Sequence, residues 1–424
     1  MEKRTIIVLA YTLSPTRGSE YSVAWNFVMR MAKYNNLIVL YGASGEHMGD
    51  CDEMEKVAAE NINSSIRYVC IKPSIKTNAL NWFNRNGLLN YTFYFAYNSW
   101  HRQAYKTACE IVKREKVDLI HFLNPIGYRE PGYLWKIDLP YVWGPIGGVS
   151  NFPVELAPSM SKIAILKYTA RSLINNYQLK HKKRLRQALS SCDVLFTATT
   201  ENQEQFKKIY GKESIYLPEN GIMTLETLNE DKFNISLPVE LVIIGSVDSR
   251  KNLNLLFQAI SRLKQKDSIR LHVIGDGPER NKLELLARNE GFADSIVWHG
   301  QIKREQLLKL ISNFHLNIIT SLNEGNPTVI WEAMSYGIPT LTLNHCGMRD
   351  TVCSKCGFKI DIMNYEQVVT DIADTLQQCI NNPKILKEKA YSTLACAQQF
   401  LWEKREPIIL DAYESVIKKH NTKR

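Results

Sequence analysis

The chain has 424 residues, of which 45% are hydrophobic and 23% are charged, which is typical of an ordinary folded protein and excludes long disordered tracts. Because this length exceeds what one hydrophobic core usually organises, we expect two domains. Lys and Arg outnumber Asp and Glu by 53 to 43, and the net charge of +10 favours anionic partners such as nucleotides, phospholipid surfaces or nucleic acid. No apolar stretch reaches the roughly 18 residues that a membrane-spanning helix needs, so we expect any membrane contact to be peripheral.

The beginning of the chain, MEKRTIIVLAYTLSPT, combines a basic start with a short apolar run, as a secretory signal does. No small-residue cleavage site follows, so we interpret the run as a buried first strand and expect a cytoplasmic protein. The nine cysteines are odd in number and scattered, which fits a reducing compartment. Two interpretations stay open for His345, Cys346, Cys353 and Cys356, namely a zinc site or reduced side chains packed beside a loop.

The N-terminal half alternates strand-like runs (TIIVLAY, NLIVLYG, VDLIHFL, LPYVWG, CDVLFTAT) with helical patterns such as the one from about Tyr21 to Tyr34. This alternation indicates a parallel sheet with helices on its faces. A polar stretch between Gly221 and Pro238 then marks a domain boundary. We therefore predict an N-terminal Rossmann-like domain over residues 1–225, with a C-terminal helix of about 403–424 packing back on it.

The alternation restarts after Pro238, with the runs LVIIG, IRLHVIGDG, SIVWHG, LNIITS and PTLTL separated by predicted helices. We predict a second Rossmann-like α/β domain over residues 236–402. Ligands of such sheets bind outside the carboxyl ends of the strands, so the loops after those strands are the expected functional sites.

The most informative loop lies in NIITSLNEGNPTVIWEAMSYGIPTL, between a predicted strand and a predicted helix. Asn326 and Pro327 are typical of a helix cap and of the first helical residue. The backbone N–H groups of Thr328 and Val329 would then be unpaired, and such a helix N-terminus attracts an anion such as a diphosphate. Glu332 lies four residues after Thr328, on the same helix face.

Glu324 lies in the loop in front of this helix, where a carboxylate could hold sugar hydroxyls, and Glu332 could accept hydrogen bonds from a ribose diol. Each glutamate alone also fits a helix-dipole partner or a surface charge. Their combination with the neighbouring Gly325 and Pro327 favours a binding site.

The segment EGNPTVIWEAMSYGIPTL, with seven residues between Glu324 and Glu332, resembles the signature of glycosyltransferase family 4. The resemblance covers the C-terminal half and implies a retaining enzyme of the GT-B fold, with two Rossmann-like parallel-sheet domains facing a central cleft. It implies that Glu324 contacts the donor sugar, that Glu332 binds the nucleotide ribose, and that the intervening backbone from Gly325 to Val329 meets the phosphates.

Two further segments are similar to that family. In LVIIGSVDSRKNLNLL, Lys251 is six residues after Gly245, at the place of a diphosphate-binding lysine. The family's usual arginine is Ser246 here, and we take Arg250 as its substitute, although an exposed loop pair of Arg250 and Lys251 remains the alternative. In SIVWHGQI, the resemblance implies that the nucleobase lies nearest Gly300–Ile302, which includes Gln301.

The N-terminal half resembles the family more loosely. TLSPTRGSEYSVAWNF is similar to the loop after the first strand, which implies that Gly18 and Ser19 lie near the donor phosphates or the acceptor. Many relatives carry a histidine where this chain has Gly144, so the role of that histidine cannot be transferred.

The stretch from Gly144 through Gly147 and Gly148 resembles a subgroup of bacterial polysaccharide transferases. His121 and Arg129 are candidate contacts of the acceptor or donor. For His121, a core histidine with satisfied hydrogen bonds is the alternative.

The predicted activity is retaining transfer of a sugar from a nucleotide-sugar to a saccharide or lipid-linked saccharide in exopolysaccharide, capsule or lipopolysaccharide biosynthesis. Lys251, Arg250 and the helix N-terminus would neutralise the charge that grows on the leaving nucleoside diphosphate, and no D-x-D triad ends a strand in the C-terminal half, so we expect no metal cofactor. The alternatives are a sugar-nucleotide epimerase of the same fold or, less favoured, a basic nucleic-acid or membrane-binding protein without catalysis.

One basic segment, from Ala170 to Leu189, has an apolar stripe at helical spacing beside Lys180, Lys182, Lys183, Arg184 and Arg186. It could rest on the anionic inner face of the plasma membrane, or its apolar side could pack on the sheet. We do not expect nucleic acid as a partner.

Overall fold

The computed structural model describes residues 3–18, 20–60, 63–89, 92–234 and 237–423. The chain divides into two units. Unit 1 comprises Met1–Val149, Asn176–Glu219 and Glu403–Arg424, and unit 2 comprises Ser150–Asn175 and Asn220–Trp402.

Unit 1 is built on a parallel sheet that has seven strands in the described part of the chain. They are β1 (Thr5–Ala10), β2 (Asn36–Tyr41), β3 (Ile66–Cys70), β4 (Leu119–Asn124), β5 (Tyr141–Ile146), β6 (Val194–Thr197) and β7 (Ile215–Tyr216). Their order is β3-β2-β1-β4-β5-β6-β7, so the direction of strand addition reverses between β1 and β4. The last five residues of β1 are all buried, as expected for a strand that helices cover on both faces.

The helices up to the end of this sheet are α1 (Glu20–Met31), α2 (Asp52–Glu60), α3 (Ile75–Arg85), α4 (Phe93–Arg114), α5 (Lys162–His181), α6 (Lys183–Ser191) and α7 (Thr200–Tyr210). Large aromatic side chains fill the core between the helices and the sheet, and the stacked rings of Phe122 and Trp143 lie 5.9 Å apart there. Trp100 of α4 is fully buried and donates its indole N–H to the carbonyl of Ile71 at 2.8 Å.

Unit 2 is built on a parallel sheet whose described strands are β8 (Val239–Ile244), β9 (Ile269–Ile274), β10 (Ile296–Gly300), β11 (Leu316–Ile319), β12 (Thr340–Leu343) and β13 (Gly357–Ile360). Their order is β10-β9-β8-β11-β12-β13, with the reversal between β8 and β11. The helices are α8 (Leu253–Ser261), α9 (Arg280–Asn289), α10 (Arg304–Ile311), α11 (Thr328–Ser335), α12 (Cys346–Thr351), α13 (Tyr365–Asn381) and α14 (Lys384–Ala397). The last helix of the chain, α15 (Trp402–Lys423), lies in unit 1 from Glu403 onward.

The expected N-terminal domain of residues 1–225 differs from unit 1, because residues 220–225 and the longer segment 150–175 belong to unit 2. Phe152, Leu156 and Tyr168 from this segment are buried in the same hydrophobic cluster as the residues of α8 and α13. The side-chain amide of Asn254 also donates to the carbonyl of Ser159 at 3.0 Å. The segment therefore belongs to unit 2 because its apolar side chains pack against residues that are distant in the sequence.

The basic segment predicted as one helix is two helices, because the chain breaks at Lys182 between α5 and α6. The predicted stripe divides accordingly. Leu185, Ala188 and Leu189 of α6 are buried in the core of unit 1, whereas Leu173, Ile174 and Tyr177 of α5 are exposed. In the described part of the chain, none of the helices has the length and apolar character required to span a membrane.

Candidate active site

The candidate site in unit 2 lies at the carboxyl ends of β8 and β11, where the order of strands reverses. At such a switch point the loops after the two strands diverge to opposite faces of the sheet and leave room for a ligand. The loop after β8 runs from Gly245 to Asn252, and the loop after β11 runs from Thr320 to Pro327.

Asp248 organises the loop after β8. Its Oδ1 accepts the backbone N–H groups of Arg250 at 2.9 Å and of Lys251 at 3.0 Å, and the hydroxyl of Ser246 donates to its Oδ2 at 2.7 Å. Burial acts to raise the pKa of Asp248, but these hydrogen bonds and the charge of Arg250 outweigh it and leave the pKa below its usual value. Asp248 was not among the residues predicted from the sequence. A signal was present, because an Asp side chain in a turn commonly accepts a hydrogen bond from the backbone N–H two residues later.

Gly245 makes room for the side chain of Lys251. Its φ of +143° lies in a region that residues with a side chain rarely adopt. A Cβ on Gly245 would lie 2.8 Å from Cε of Lys251 and 3.3 Å from its Nζ. The glycine therefore lets the lysine side chain lie directly against the end of β8.

Arg250, Lys251 and Glu324 form what we call the cation cluster. Nζ of Lys251 lies 2.6 Å from Oε1 of Glu324, and the guanidinium of Arg250 contacts the same oxygen. The side chains of Lys251 and Glu324 are only 13% exposed, and that of Arg250 is 36% exposed. Glu324 neutralises one of the two cations, so the three side chains of the cluster carry a net charge of +1 in this partly buried place. The nearby carboxylate of Asp248 already accepts hydrogen bonds from two backbone N–H groups and from the hydroxyl of Ser246.

Backbone contacts hold the two loops of the site together. The N–H of Leu322 donates to the carbonyl of Arg250 at 2.9 Å, and the hydroxyl of Thr320 donates to the carbonyl of Lys251 at 2.9 Å. The carbonyl of Glu324 in turn accepts the N–H of Gly347 at 3.1 Å. The positions of both cations and of the carboxylate are therefore fixed by the main chain as well as by their ion pairs.

Helix α11 begins at Thr328, one residue later than predicted. Pro327 has an extended ψ of 127°, so it is the cap residue and Asn326 precedes it, whereas the sequence suggested Asn326 as the cap and Pro327 as the first helical residue. Gly325 lies in the bend between Glu324 and this cap. Among the described residues, the backbone N–H groups of Thr328 and Val329 have no hydrogen-bond partner, so two donors are available at the helix N-terminus.

Glu332 lies one turn into α11, and its Oε1 is 2.7 Å from Nη1 of Arg304, the first residue of α10. Burial raises the pKa of Glu332, and the charge of Arg304 partly offsets this shift. Arg304 follows the loop Gly300–Ile302, so its ion pair connects the predicted nucleobase loop with the predicted ribose carboxylate. Arg304 was not predicted from the sequence.

Three glycines allow the loops after β8, β9 and β10 to approach one another. A Cβ on Gly275 would lie 1.9 Å from the carbonyl oxygen of Gly245, and one on Gly277 would lie 2.4 Å from that of Val247. Gly300 has a φ of +66°, and its carbonyl accepts the N–H of Gly275 at 2.8 Å. The backbone of the G-D-G-P turn, Gly275–Pro278, therefore lies directly against the loop after β8.

His121 is a core residue of unit 1. It is fully buried, its Nδ1 lies 2.6 Å from the hydroxyl of Tyr413, and its Nε2 lies 2.6 Å from the carbonyl oxygen of Gly144. Burial lowers its pKa to about 4, so the imidazole is neutral at pH 7. Of the two interpretations left open by the sequence, the structure supports the core histidine, and we no longer assign His121 to the acceptor site.

Gly144 is also a structural residue, because a Cβ there would lie 2.2 Å from the backbone oxygen of Phe196 on β6. Gly147 donates its N–H to the carbonyl of Ile126 at 2.7 Å. Gly148 has a φ of +87°, and its carbonyl accepts a hydrogen bond from Arg129. The glycine stretch therefore supports the loop after β4.

Unit 1 has its own pocket at the reversal between β1 and β4, with a volume of about 430 Å³. Its lining combines aromatic and polar residues, among them Tyr11, Phe93, Tyr94, Tyr97, Glu46, His47, Arg129 and Glu130. Of the residues predicted near the acceptor, Arg129 lines this pocket. Gly18 lies in the loop after β1 with open space around its Cα, and Ser19 lies outside the described residues.

Residues 228–393 match the family described as Glycosyl transferases group 1. The chain is 30% identical over 121 residues to the lipopolysaccharide 1,6-galactosyltransferase of Salmonella typhimurium, which covers 27% of this chain and 33% of that protein. It is 31% identical over 144 residues to protein CapJ of Staphylococcus aureus, or 33% of this chain and 36% of CapJ. The putative teichuronic acid biosynthesis glycosyltransferase TuaC of Bacillus subtilis is 26% identical over 254 residues, or 57% of each chain. The matches thus span about a third to three fifths of these relatives.

Solved structures share the architecture over nearly the whole chain. The apo form of the lipopolysaccharide outer core galactosyltransferase WaaB has a TM-score of 0.65 at 17% identity and covers 97% of this chain and 99% of its own. Sucrose-phosphate synthase from Thermosynechococcus elongatus has a TM-score of 0.66 at 14% identity, with 98% and 100% covered. The predicted fold class, two Rossmann-like parallel-sheet domains, is confirmed. Residues 228–393 are therefore similar to the Glycosyl transferases group 1 family, and the chain has the fold of these solved structures.

Proposed function

We propose that this chain is a retaining, metal-independent glycosyltransferase of the family 4 type. It transfers a sugar from a nucleotide-sugar donor to a saccharide or lipid-linked saccharide acceptor in the biosynthesis of a cell-envelope polysaccharide. The observation that carries the proposal is the cation cluster, in which Lys251 and Arg250 share the single carboxylate of Glu324 in front of the unpaired N–H groups of α11.

The cation cluster and the N-terminus of α11 bind the donor diphosphate. Without donor, Glu324 compensates the charge of Lys251 and Arg250. When phosphate oxygens arrive, the cations and the N–H groups of Thr328 and Val329 contact them, because charge-assisted hydrogen bonds to phosphate are among the strongest available. Glu324 is then released from part of its ion pairing and can accept hydrogen bonds from the hydroxyls of the donor sugar.

The nucleoside extends from the diphosphate toward β10. Glu332 accepts hydrogen bonds from the ribose hydroxyls, and its ion pair with Arg304 partly offsets the rise in its pKa that burial causes. Backbone groups of Gly300, Gln301 and Ile302 contact the base. Because backbone contacts discriminate bases only weakly, several bases are compatible with this loop.

Transfer requires that negative charge on the departing nucleoside diphosphate be stabilised. Preorganised cations and helix N–H groups serve this purpose because they need no reorganisation during the reaction. Lys251 and Arg250, held by Asp248 and by the loop after β11, meet that requirement without a metal ion. The resemblance to family 4 implies retention, so we propose that the acceptor hydroxyl attacks the anomeric carbon on the face of the leaving phosphate and passes its proton to that phosphate. Glu324 contacts the sugar hydroxyls in this scheme and is not the nucleophile.

The acceptor binds to unit 1, at the pocket beside β1 and β4. A pocket lined by both aromatic rings and polar groups suits a sugar ring, which has apolar faces and hydroxylated edges. The relatives described above support a cell-envelope polysaccharide as the class of product, since one acts on lipopolysaccharide and another is assigned to teichuronic acid biosynthesis.

An anionic membrane surface on the cytoplasmic side is the proposed location of a lipid-linked acceptor. The exposed side chains Leu173, Ile174 and Tyr177 of α5 support this proposal. Part of the basic run serves another purpose, because Lys182 contacts the carbonyl of Arg129 and Arg184 pairs with Glu130. The remaining basic residues Lys180, Lys183 and Arg186 are the ones available to phospholipid headgroups.

A thermal-shift panel of UDP-, GDP- and ADP-sugars tests the proposal, because a ligand that binds only the folded state raises the melting temperature. We expect one donor to raise the melting temperature of the wild type but not that of Lys251→Ala. Lys264→Ala is the control, because Lys264 is an exposed lysine of unit 2, and the donor should raise the melting temperature of this variant as it does for the wild type. The anomeric configuration of the product, read by proton NMR, then tests retention. If no nucleotide-sugar shifts the wild type, or if the product is inverted, the corresponding part of the proposal is wrong.

A further inference from the structure

Three cysteines of unit 2 bring their sulfur atoms together near the amino end of β13, whereas the cation cluster lies at the carboxyl ends of β8 and β11. Cys353 and Cys356 lie in the C-x-x-C turn between α12 and β13, and Cys396 lies near the end of α14. The Sγ of Cys353 is 3.3 Å from that of Cys356 and 3.5 Å from that of Cys396. All three sulfur atoms lie within 4.8 Å of one another.

The turn is held in place by the same helix that supplies the third cysteine. The ammonium of Lys389 donates to the carbonyls of Ser354 at 2.7 Å and Gly357 at 3.0 Å, and the hydroxyl of Thr393 donates to that of Cys356 at 2.9 Å. Positions 389, 393 and 396 are spaced by four and three residues, so they share one face of α14. The packing of α14 against the turn therefore places Cys396 beside the other two cysteines.

The separation of the sulfur atoms fits a tetrahedral metal ion. With a Zn–S bond of about 2.3 Å, two thiolates on one zinc ion lie about 3.8 Å apart. The separations here are slightly shorter than that and far longer than a disulfide bond of about 2.05 Å. The backbone N–H of Cys353 also lies 3.3 Å from Sγ of Cys356, which is the kind of outer hydrogen bond that stabilises a metal-bound thiolate.

Burial leaves one side of the group open. Cys356 is buried, whereas Cys353 and Cys396 are partly exposed, so an ion has a route to the three sulfur atoms. A water molecule can take the fourth position on that side. The positive charge of Lys389 lies behind the turn and balances part of the charge that three thiolates add to a divalent ion.

We propose that Cys353, Cys356 and Cys396 form a structural binding site for a thiophilic divalent ion, with Zn²⁺ as the expected occupant. Each thiol loses its proton to solvent when the ion binds. The ligand set corrects the possibility considered from the sequence, in which His345 and Cys346 completed the site. Among the described residues, the sulfur that joins the C-x-x-C pair comes from α14, which no spacing near residue 350 could indicate.

The ion has a structural role because of what surrounds it. Cys356 is buried in a hydrophobic cluster that includes Ile330, Trp331 and Met334 of α11. The ring of Trp331 packs on Phe400 at 4.9 Å, next to the end of α14. A bound ion would link the turn to α14 and so stabilise the packing behind the helix whose N-terminus faces the donor site.

Metal binding to the full chain tests this inference. The protein is freed of metal with a chelator under reducing conditions and titrated with Zn²⁺ in competition with a chromophoric chelator, and with Co²⁺ followed by absorption. We expect one equivalent of Zn²⁺, thiolate-to-cobalt charge-transfer bands, and a higher melting temperature with Zn²⁺. Cys396→Ser and Cys353→Ser should lose all three effects, whereas Cys109→Ser, a half-buried cysteine of α4, should retain them.

The inference is overturned if the wild type binds no Zn²⁺, if the cobalt complex lacks thiolate bands, or if Cys396→Ser binds Zn²⁺ as the wild type does. Should Cys396→Ser fail to fold by circular dichroism, Cys353→Ser and the cobalt spectrum of the wild type decide the question. The Zn²⁺ titration, the cobalt spectrum and the melting temperature are all measured without a nucleotide-sugar. Their outcome therefore does not depend on the proposed function.

Discussion

The two units place different chemistry at the same point of the same topology. In unit 2, the reversal between β8 and β11 carries two cations, a carboxylate and a helix N-terminus. In unit 1, the reversal between β1 and β4 carries a pocket of about 430 Å³ that is lined by aromatic and polar residues. Charge that is fixed by backbone contacts suits a diphosphate, whereas flat rings beside hydrogen-bonding groups suit a neutral, hydroxylated ring.

The match to a known protein family covers residues of only one of the two units. The match to Glycosyl transferases group 1 begins and ends within unit 2. This agrees with the proposed division of labour, in which unit 2 binds the donor and unit 1 binds the acceptor. Four substitutions, two in each unit, test that division.

The largest effect is expected for Lys251→Ala. Loss of the more buried cation of the cation cluster removes charge stabilisation from the leaving group, and removal of one such donor typically costs about 10²- to 10³-fold in kcat. Steady-state kinetics with the donor identified by thermal shift measures it. Lys264→Ala should retain wild-type kinetics, and a Lys251→Ala enzyme within a few fold of wild type would contradict the assignment of the donor site.

A smaller effect is expected for Gly245→Ala. The new Cβ would lie 2.8 Å from Cε of Lys251 and would require a strained φ, so the lysine must move. A displacement of about 1 Å can cost up to about 100-fold in kcat/KM, and we expect about 10- to 100-fold. Gly291→Ala is the matched control, because it has a φ of +72° but open space around it. Equal losses in the two variants would indicate general strain rather than displacement of Lys251.

In unit 1, Tyr94→Ala should affect the acceptor alone. Tyr94 lines the pocket and is exposed, so its loss should not disturb the core. Loss of an aromatic contact worth about 1 kcal/mol predicts an increase of about fivefold in the KM for the acceptor, with the KM for the donor unchanged. Trp82→Ala, an exposed aromatic of α3 that does not line the pocket, is the control. A change in the donor KM instead would break the proposed division between the units.

The smallest effect on activity is expected for His121→Phe. This substitution removes the hydrogen bonds to Tyr413 and Gly144 inside the core, and buried groups left without a partner cost about 1–3 kcal/mol of the free energy of unfolding. We expect a lower urea midpoint with kcat/KM within about twofold of wild type at a temperature where the variant is folded. A large loss of kcat/KM without loss of stability would return His121 to the acceptor site.

The sequence was sufficient for the fold because both sheets consist of continuous apolar strands that alternate with helices, and this pattern is local. It also indicated Glu324, Lys251 and Arg250, which the structure brings together. Their meeting depends on the order of β8 and β11 in the sheet, and the family resemblance supplied that information. The start of α11 was missed by one residue because Pro327 fits both a cap and a first helical position.

Other features could not be predicted because they depend on contacts between distant segments. The segment 150–175 packs on α8 and α13, which begin at residues 253 and 365, so nothing near it in sequence assigns it to unit 2. The single basic stripe of residues 170–189 is divided by the break at Lys182. In the same way, Arg304 reaches Glu332 and Cys396 reaches Cys353 only in the folded chain.

The most direct measurement of the central claim is a crystal structure of the protein with the nucleoside diphosphate of its donor. We predict that the terminal phosphate lies within hydrogen-bond distance of Nζ of Lys251 and of the backbone N–H groups of Thr328 and Val329, with Glu324 turned toward the sugar position. Electron density for the diphosphate elsewhere, with the ion pair of Lys251 and Glu324 unchanged, would contradict the account.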